Sequence, residues 1–245
     1  MKLIPAIDLK NRKCVRLTEG KENTAIIYNS NPIEQAKFFE QEGCDRIHIV
    51  DLDAAFGNSE INRKQILEIK KNIKTPIQLG GGIRSKQDVD FWFKNGIEYL
   101  IVGSMAIHDI NTTLSMASFY ENKIYISIDQ LKDKIMVKGW KEETNIDTKS
   151  FIEIYNKGKT KGFIFTDISR DGMMKGLDIE LIKKNLSGVK KDLIVGGGLS
   201  NYQDLKNLKK INNIYLEGVI AGKSFYSGAI EIKKANEILN SHAEN

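Results

Sequence analysis

Two aspartates, Asp8 and Asp129, stand at the ends of apolar segments of the kind that form buried strands. A carboxylate is costly to bury in such a position unless it has a task there. Two carboxylates on opposite sides of one ligand can take a proton from one atom and give a proton to another. The pair therefore indicates general acid–base chemistry. The residues alone leave open which aspartate is the acid and which the base.

Two triple-glycine segments, residues 80–82 and 196–198, each follow an apolar run and lie just before a serine at a helix start. Glycines at the end of a strand let backbone N–H groups approach an anion closely, and the following helix adds its dipole. We expect each segment to bind one phosphate group; the alternative that the pattern leaves open is two tight turns without a ligand. The glycines concerned are Gly81, Gly82, Gly197 and Gly198.

The chain repeats itself around these segments. Gly80 and Gly196 are separated by the same number of residues as Asp88 and Asp204, which lie in the helices that follow. Internal repetition of strand–helix units is typical of a closed or stacked parallel sheet. The next apolar run of each half ends in a further pair of expected phosphate contacts: Gly103 and Ser104, then Gly222 and Lys223.

Apolar runs, glycines and helix caps divide the sequence into eight strands that alternate with eight helices. Ser85 with Asp88, and Ser200 with Gln203, have the spacing of N-terminal capping boxes. We therefore predict an α/β fold, a single (β/α)8 TIM barrel with a two-fold half-barrel repeat, over residues 1–245. In this fold the carboxyl ends of the strands form the site. The two aspartates, on strands one and five, would then lie opposite each other, between two phosphates of one elongated ligand.

Two stretches are expected to be long loops at that end of the barrel. Residues 10–29 contain Arg16 and Gly20, and residues 130–147 contain Trp140. Loops of this length in a compact chain are often lids or binding loops. We expect these three residues to contact the ligand, and the second loop to close over it.

The composition argues against several classes of function. The 245 residues carry 37 Lys and Arg against 32 Asp and Glu, without a basic run interleaved with aromatics, so nucleic-acid binding is not expected. No apolar run approaches membrane length, and the N-terminus lacks the features of a signal peptide. We expect a cytoplasmic monomer without a membrane partner.

Sulfur and imidazole groups form no recognisable site in the sequence. Cys14 and Cys44 lack the spacing of a zinc site or of a disulfide framework. The three histidines, His48, His108 and His242, lie in unrelated elements, so we expect no metal ion. A lone histidine within a strand, such as His48, is more often a core or supporting group than a catalyst.

Five segments of the sequence form a recognisable set: residues 4–9, 15–17, 80–85, 166–172 and 196–198. Together they resemble the ProFAR isomerase family of histidine biosynthesis, the phosphoribosylformimino-aminoimidazole carboxamide ribotide isomerases. The resemblance covers essentially the whole chain. Its most specific part is the run from Ser169 to Gly172 in combination with the strand-one pattern.

The resemblance implies an Amadori rearrangement of an aminoaldose to an aminoketose, without a metal or an organic cofactor. The residue that matches Asp129 is the family's general acid, which protonates the ribose ring oxygen and opens the ring. The residue that matches Asp8 is the general base, which takes the C2 proton of the resulting Schiff base. The enolamine then collapses to the ketone.

The resemblance also implies a small-molecule bisphosphate substrate. Thr166 and Asp171 match residues beside the reacting ribose, and Trp140 matches an aromatic residue on a mobile loop that stacks on the imidazole. Gly176, near the end of the polar loop after strand six, is expected to contribute to substrate binding.

Three alternatives remain at this stage. The sister cyclase of the same pathway shares the half-barrel repeat, although its strand one usually reads Cys-Leu-Asp-Val where this chain has Ala6-Ile7-Asp8-Leu9. A non-catalytic bisphosphate-binding barrel would not need both aspartates. An isomerase of this type can also process phosphoribosylanthranilate in tryptophan synthesis, and the sequence does not separate that double use from a single one.

Overall fold

Eight parallel strands close into a barrel, as predicted. The computed structural model describes residues 1–18, 20–132 and 134–241. Each strand pairs in parallel with the next, and the circle closes through strand eight on strand one and strand five on strand six. The barrel strands are β1 (Lys2–Lys10), β2 (Ile47–Asp51), β3 (Ile77–Gly80), β4 (Tyr99–Val102), β5 (Ile124–Leu131), β6 (Gly162–Asp167), β7 (Asp192–Gly196) and β8 (Leu216–Ala221).

One principal helix follows each barrel strand. The described part of the chain contains no helix long and apolar enough to cross a membrane. Among the described residues, three further helices are short and directly follow β2, β4 and β8: Leu52–Ala55, Ser104–His108 and Lys223–Tyr226. The principal helices are α1 (Pro32–Gln41), α2 (Arg63–Asn72), α3 (Lys86–Lys94), α4 (Ile110–Phe119), α5 (Thr148–Asn156), α6 (Ile179–Leu186), α7 (Tyr202–Lys209) and α8 (Ile232–Asn240).

The alternation of side chains along each strand creates two buried layers. In β1 and β2, Ile7, Leu9, Ile47 and Ile49 join the large apolar layer between the barrel and the helices. The residues between them therefore face the barrel axis, because successive side chains of a strand point to opposite faces. A smaller apolar cluster fills the interior: Ile4, Ile101, Tyr125, Ile164 and Ile194.

A buried arginine closes the floor of the barrel, at the amino ends of the strands. Arg46 is only 3% exposed, and it pairs with Glu217 at 2.9 Å. It also donates hydrogen bonds to the Tyr125 hydroxyl at 2.8 Å and to the Gln78 side-chain oxygen at 3.2 Å. Tyr125 in turn donates to Glu217 at 2.5 Å. The charge is thus taken out of water together with its partners, which is the condition for burying it at tolerable cost.

The predicted loop over residues 10–29 is a β-hairpin instead. The strand Lys13–Thr18 pairs antiparallel with β1 and with a second strand, Lys21–Asn29. A tight turn starts the hairpin, with Asn11 and Arg12 at φ +48° and +62°. The prediction was wrong because polar residues flank the buried Cys14, Val15 and Leu17, and because an irregularity between Cys14 and Val15 breaks the simple alternation of a strand.

The turn of this hairpin is held by the polar residues that follow β2. The N–H of Asn11 donates to Asp53 Oδ2 at 2.6 Å, and the N–H of Arg12 donates to Asn62 Oδ1 at 2.8 Å. Asn62 is fully buried and also donates to Asp51 and Asp53. These bonds fix the hairpin over the mouth of the barrel.

The predicted loop over residues 130–147 is also partly ordered as sheet. The strand β5 runs on to Leu131 and pairs antiparallel with Lys134–Val137, which pairs with the short strand Glu142–Glu143. The tip between the last two strands holds Lys138, Gly139 and Trp140, all at positive φ. Such a tip turns sharply, which brings Trp140 back over the barrel.

The first of the two predicted helix caps is confirmed and the second is wrong. Ser85 accepts a hydrogen bond from the N–H three residues on, and so begins α3. In the second half Asn201, not Ser200, caps α7. Asn201 accepts from the backbone N–H groups of Gln203 and Asp204, and the Asp204 carboxylate accepts from the Ser200 hydroxyl and N–H. Two adjacent polar residues compete for the cap, and spacing alone does not decide between them.

The close pairing of β6 and β7 yields a test of the fold. A Cβ added to Gly162 would lie 2.0 Å from the carbonyl oxygen of Asp192, whereas one added to Gly188 would meet nothing nearer than 3.8 Å. Gly162→Ala should therefore push the two strands apart and lower the free energy of unfolding by about 2–3 kcal/mol. Gly188→Ala is the control and should change it by less than about 0.5 kcal/mol. Urea denaturation measures both, and equal stabilities would contradict the strand pairing.

Candidate active site

Asp8 lies at the carboxyl end of β1, and its side chain faces the barrel axis. Its Oδ2 accepts a hydrogen bond from Arg16 Nη1 at 2.6 Å, and Arg16 Nη2 donates to the Ala6 carbonyl at 3.0 Å. Burial raises the pKa of Asp8 above its usual value, and the positive charge of Arg16 partly offsets this rise. Asp8 is thus a carboxylate with a raised pKa and one fixed cationic neighbour, which suits it to accept a proton.

Asp129 occupies the equivalent place at the end of β5. Its two oxygens accept hydrogen bonds from the Ser127 hydroxyl at 2.9 Å and from Trp140 Nε1 at 2.8 Å. Thr166 is its register partner on β6. Burial raises the pKa of Asp129, and hydrogen bonds from these three side chains oppose the rise. Unlike Asp8, Asp129 has no cation in direct contact among the described residues, so its protonated form is the less disfavoured of the two.

A third carboxyl group, Asp171, stands in the loop after β6. Burial raises its pKa to about 7, and the nearby negative charge of Asp8 adds to the rise. Arg16 acts in the opposite direction. Asp8 and Asp171 thus share the positive charge of Arg16, and at neutral pH a proton is available within this cluster.

The first glycine site comprises Gly81, Gly82, Gly103 and Ser104. Gly81 and Gly82 have φ angles of +95° and +71°. A Cβ on Gly81 would lie 2.2 Å from the carbonyl oxygen of Asp51, and one on Gly82 would lie 2.5 Å from the Cβ of Ala54. The glycines are therefore required by backbone conformation and by close packing against the segment after β2.

The second glycine site comprises Gly197, Gly198, Gly222 and Lys223, and it repeats this geometry. A Cβ on Gly197 would lie 2.3 Å from the carbonyl oxygen of Asp167. Gly198 is pressed against Gly176 in the same way, and the N–H of Gly176 donates to the Gly198 carbonyl at 2.9 Å. Gly176 therefore braces the second glycine site through its backbone.

The two sites also match in the residues that begin the short helices. Gly103 has φ −102° and ψ −99°, and Gly222 has φ −103° and ψ −100°. Each precedes a helix whose first N–H groups have no partner within that helix. The internal repeat inferred from the sequence is thus present in the backbone itself.

Arg16 links the second glycine site to Asp8. A Cβ on Gly222 would lie 2.6 Å from Arg16 Nη2, so the guanidinium lies directly against that glycine. Arg16 and Asp171 line a small cavity of about 40 Å3 together with Gly198, Gly222 and Lys223. A negatively charged group in this cavity would meet two cationic side chains.

Trp140 covers the mouth of the barrel. Besides its hydrogen bond to Asp129, its ring lies against Gly20, where a Cβ would come within 2.3 Å of the indole. The neighbouring Lys138 donates its N–H to the Ser104 hydroxyl at 2.9 Å. Gly20 and Trp140 also line a larger cavity of about 630 Å3 between the loops. The two loops therefore meet over the site, as a lid would.

Sequence reasoning did not include three interior residues in the site: Arg46, His48 and Gln78. His48 Nδ1 lies 2.9 Å from Gln78 Nε2, which belongs to the neighbouring strand. Burial and the charge of Arg16 lower the pKa of His48 to about 3. The inward positions could have been read from the strand alternation, but the contacts among them depend on barrel closure.

Burial raises the pKa of the Cys14 thiol to about 12, and the charges of Arg16 and Asp8 also act on it. Cys14 and Cys44 are buried and free. Within residues 1–18, 20–132 and 134–241, the structure shows no cluster of three or more His, Cys, Asp or Glu side chains placed to hold a metal ion. His242 lies outside the described residues.

The site thus contains two partly buried carboxyl groups near the carboxyl ends of opposed strands, between two matching glycine sites. Comparison with known proteins agrees with it: residues 2–231 match the family described as "Histidine biosynthesis protein". The chain belongs to this family. The matched residues include all eight strands of the barrel.

Its relatives include isomerases that act on 1-(5-phosphoribosyl)-5-((5-phosphoribosylamino)methylideneamino)imidazole-4-carboxamide, which is ProFAR. The isomerase of Prochlorococcus marinus (strain MIT 9301) is 42% identical over 245 residues, which are 100% of this chain and 96% of the relative. That of Caldanaerobacter subterraneus is 40% identical over 235 residues, 96% of each chain. That of Clostridioides difficile (strain 630) is 37% identical over 238 residues, 97% of this chain and 98% of the relative.

The position of Asp171 predicts a pH-dependent effect on stability. Because its pKa is higher in the folded than in the unfolded chain, its contribution to stability is present near pH 4 and is lost as the pH rises to about 7. The amide in Asp171→Asn does not ionise, so this variant should gain about 2–4 kcal/mol relative to wild type at pH 8. Denaturant titrations at pH 4.5 and pH 8 measure the difference. The same difference at both pH values would contradict the raised pKa.

Proposed function

We propose that the protein catalyses the isomerisation of ProFAR to the aminoketose PRFAR in histidine biosynthesis. The observation that carries this proposal is the pair Asp8 and Asp129, which lie near the carboxyl ends of opposed strands of one barrel, between two equivalent glycine sites. Full-length relatives with the isomerase name support the same activity. Their names favour the isomerase over the sister cyclase, and no residue of the site favours the double use in tryptophan synthesis.

The substrate carries a phosphate at each end, and each glycine site would hold one of them. Backbone N–H groups at Gly81 and Gly103 serve the first phosphate, with the Ser104 hydroxyl. The second phosphate lies near Lys223 and Arg16, which line the small cavity. Charge-assisted hydrogen bonds from such cations are stronger than neutral ones. The two anchors hold the reacting ribose between the carboxyl groups.

The rearrangement then needs only proton transfers. Asp129, protonated, gives its proton to the ribose ring oxygen as the bond from C1 to that oxygen breaks, and a Schiff base remains at C1. Asp8 takes the C2 proton, and the C2–H electron pair forms the C1=C2 bond while the Schiff-base nitrogen regains its lone pair. The enol loses its hydroxyl proton and gains a proton at C1, which gives the ketone at C2. The product is an isomer of the substrate, so no oxidant or reductant is consumed.

The remaining residues of the site orient the substrate. Thr166 lies beside Asp129 and Asp171 lies beside Asp8, so both can contact the ribose. Trp140 would leave Asp129 when the substrate enters and stack on the imidazole. Stacking of a base on an aromatic side chain contributes about 1–3 kcal/mol.

The direct test is incubation of the purified protein with ProFAR, with formation of PRFAR followed by chromatography and mass spectrometry. Phosphoribosylanthranilate serves as a second substrate in a parallel reaction. Turnover of ProFAR is the expected result. Binding of ProFAR without turnover would leave a bisphosphate-binding barrel and would overturn the proposed function.

The carboxyl pair predicts a specific kinetic loss. Asp8→Asn and Asp129→Asn should each lower kcat for ProFAR by at least about a hundredfold, because general acid–base assistance is worth about 10²–10⁴-fold. KM should change little, because neither side chain binds a phosphate in this arrangement. The exposed Asp45→Asn is the control and should keep the wild-type kcat. Wild-type turnover by Asp8→Asn would contradict the mechanism while leaving the fold intact.

The second glycine site predicts an effect on binding instead. Lys223→Met removes a cation that lines the small cavity, so KM for ProFAR should rise about ten- to a hundredfold. The kcat value should stay within a few-fold of wild type. Lys210→Met, on an exposed position at the end of α7, removes the same charge away from the site and should leave KM unchanged. Equal KM values for the two variants would show that Lys223 does not contact the phosphate.

A further inference from the structure

The floor of the barrel fixes the orientation of one amide side chain. Arg46 Nη1 lies 3.2 Å from the side-chain oxygen of Gln78. A guanidinium can only donate hydrogen bonds, so the Gln78 atom that faces it must be the acceptor oxygen. The NH2 group of Gln78 therefore faces the other way.

That NH2 group fixes the tautomer of His48. Gln78 Nε2 lies 2.9 Å from His48 Nδ1, and an amide nitrogen can only donate. His48 Nδ1 must then be the unprotonated nitrogen, and the neutral ring carries its hydrogen on Nε2. Burial and, to a smaller extent, the Arg16 guanidinium lower the pKa of His48 to about 3, so the ring stays neutral at physiological pH.

The side chain of His48 faces the barrel interior, on the strand that pairs with the strand of Asp8. Its neighbours Ile47 and Ile49 face the helices, so His48 faces the axis. Its register partner on β1 is Ala6, two residues before Asp8, and the Ala6 carbonyl accepts from Arg16. The two ring nitrogens of an imidazole point in nearly opposite directions, so Nε2 points away from Gln78. Within the described part of the chain, His48 Nε2 donates to no hydrogen-bond acceptor.

We propose that His48 is a catalytic residue whose neutral Nε2–H donates a hydrogen bond to the C2 oxygen of the reacting ribose. This role rests on the proposed isomerase function. It makes Gln78 and Arg46 positioning residues, which act on the reaction only by fixing the His48 ring.

The chemistry explains why a neutral donor suits this position. As Asp8 removes the C2 proton, the C2 oxygen passes from a hydroxyl through an enol to a ketone. A fixed N–H aimed at that oxygen stabilises the negative charge that develops on it as the hydroxyl proton leaves. A neutral imidazole can serve as this kind of donor. An imidazolium would instead pair with Asp8 and weaken it as a base. Burial and the charge of Arg16 keep His48 in the neutral form, and the floor network fixes which nitrogen carries the hydrogen.

Two substitutions at His48 separate a catalytic role from a structural one. In His48→Gln the amide nitrogen can reach about the place of imidazole Nε2, whereas in His48→Asn the polar atoms reach only about the place of Nδ1. We expect His48→Gln to keep kcat for ProFAR within about tenfold of wild type. His48→Asn should lose about 10²–10³-fold in kcat with a small change in KM, which is the usual cost of removing one such donor. The reverse order would overturn the proposal, because it would show that the contact with Gln78 is what matters.

A spectroscopic measurement checks the tautomer independently of activity. ¹⁵N NMR of labelled wild-type protein should show His48 as the neutral Nε2–H form from pH 5 to pH 9. Gln78→Glu places a carboxylate against Nδ1 and should make His48 an imidazolium in that range, with kcat at least about tenfold lower. A wild-type ring with its hydrogen on Nδ1 would overturn the proposal. Absence of ProFAR turnover by wild type would overturn the proposed function, whereas wild-type turnover with a fully active His48→Asn would overturn only the role of His48.

Discussion

The parallel pairing that closes the barrel is the constraint on which every functional group depends. Because all eight strands run in one direction, their carboxyl ends reach one rim, and residues distant in the sequence become neighbours there. Asp129 lies beside Thr166 for this reason alone. A slip of one residue in any register would turn that strand's inward side chains toward the helices. The outward Ile7 and Leu9 hold β1 in register, and they thereby also aim Asp8 at the axis.

Buried charge is compensated to different extents at the floor and at the rim of the barrel. At the floor, Arg46 is surrounded by acceptors and pairs with Glu217, so its charge is compensated. At the rim, Asp8, Asp129 and Asp171 are partly buried, Arg16 pairs with Asp8, and burial raises the pKa of all three carboxyl groups. The rim therefore lowers the stability of the folded chain in exchange for groups that can move protons near neutral pH.

The sequence was sufficient where a signal is local. Strand ends, the triple glycines and the repeat could be predicted because glycines at special backbone conformations and apolar runs in buried strands are recognisable within a few residues of sequence. The β-hairpin after β1 was missed because polar residues interrupt the apolar pattern of its two strands. The cap of α7 was misplaced by one residue because Ser200 and Asn201 are both suitable caps.

The contacts of His48 could not be predicted for a different reason. Gln78 is 30 residues further along the chain, and the two side chains meet only because β2 and β3 are paired in register. No spacing rule in a single sequence encodes which of two inward polar residues orients the other. Sequence reasoning therefore located the carboxyl groups correctly at the rim but gave no access to the hydrogen bonds beneath them.

The similarity of the two glycine sites bears on the orientation in which a ligand binds. A ligand with a phosphate at each end can enter such a barrel in two senses, and backbones that match within a degree or so at Gly103 and Gly222 cannot tell them apart. The backbones differ modestly elsewhere, with φ angles of +71° at Gly82 and +96° at Gly198, and the larger chemical difference lies in the side chains. One end has Lys223 and Arg16, whereas the other has the uncharged Ser104. The repeat thus provides two similar backbone sites for phosphate. The unequal charges around these sites would set the orientation of a bisphosphate ligand relative to Asp129 and Asp8.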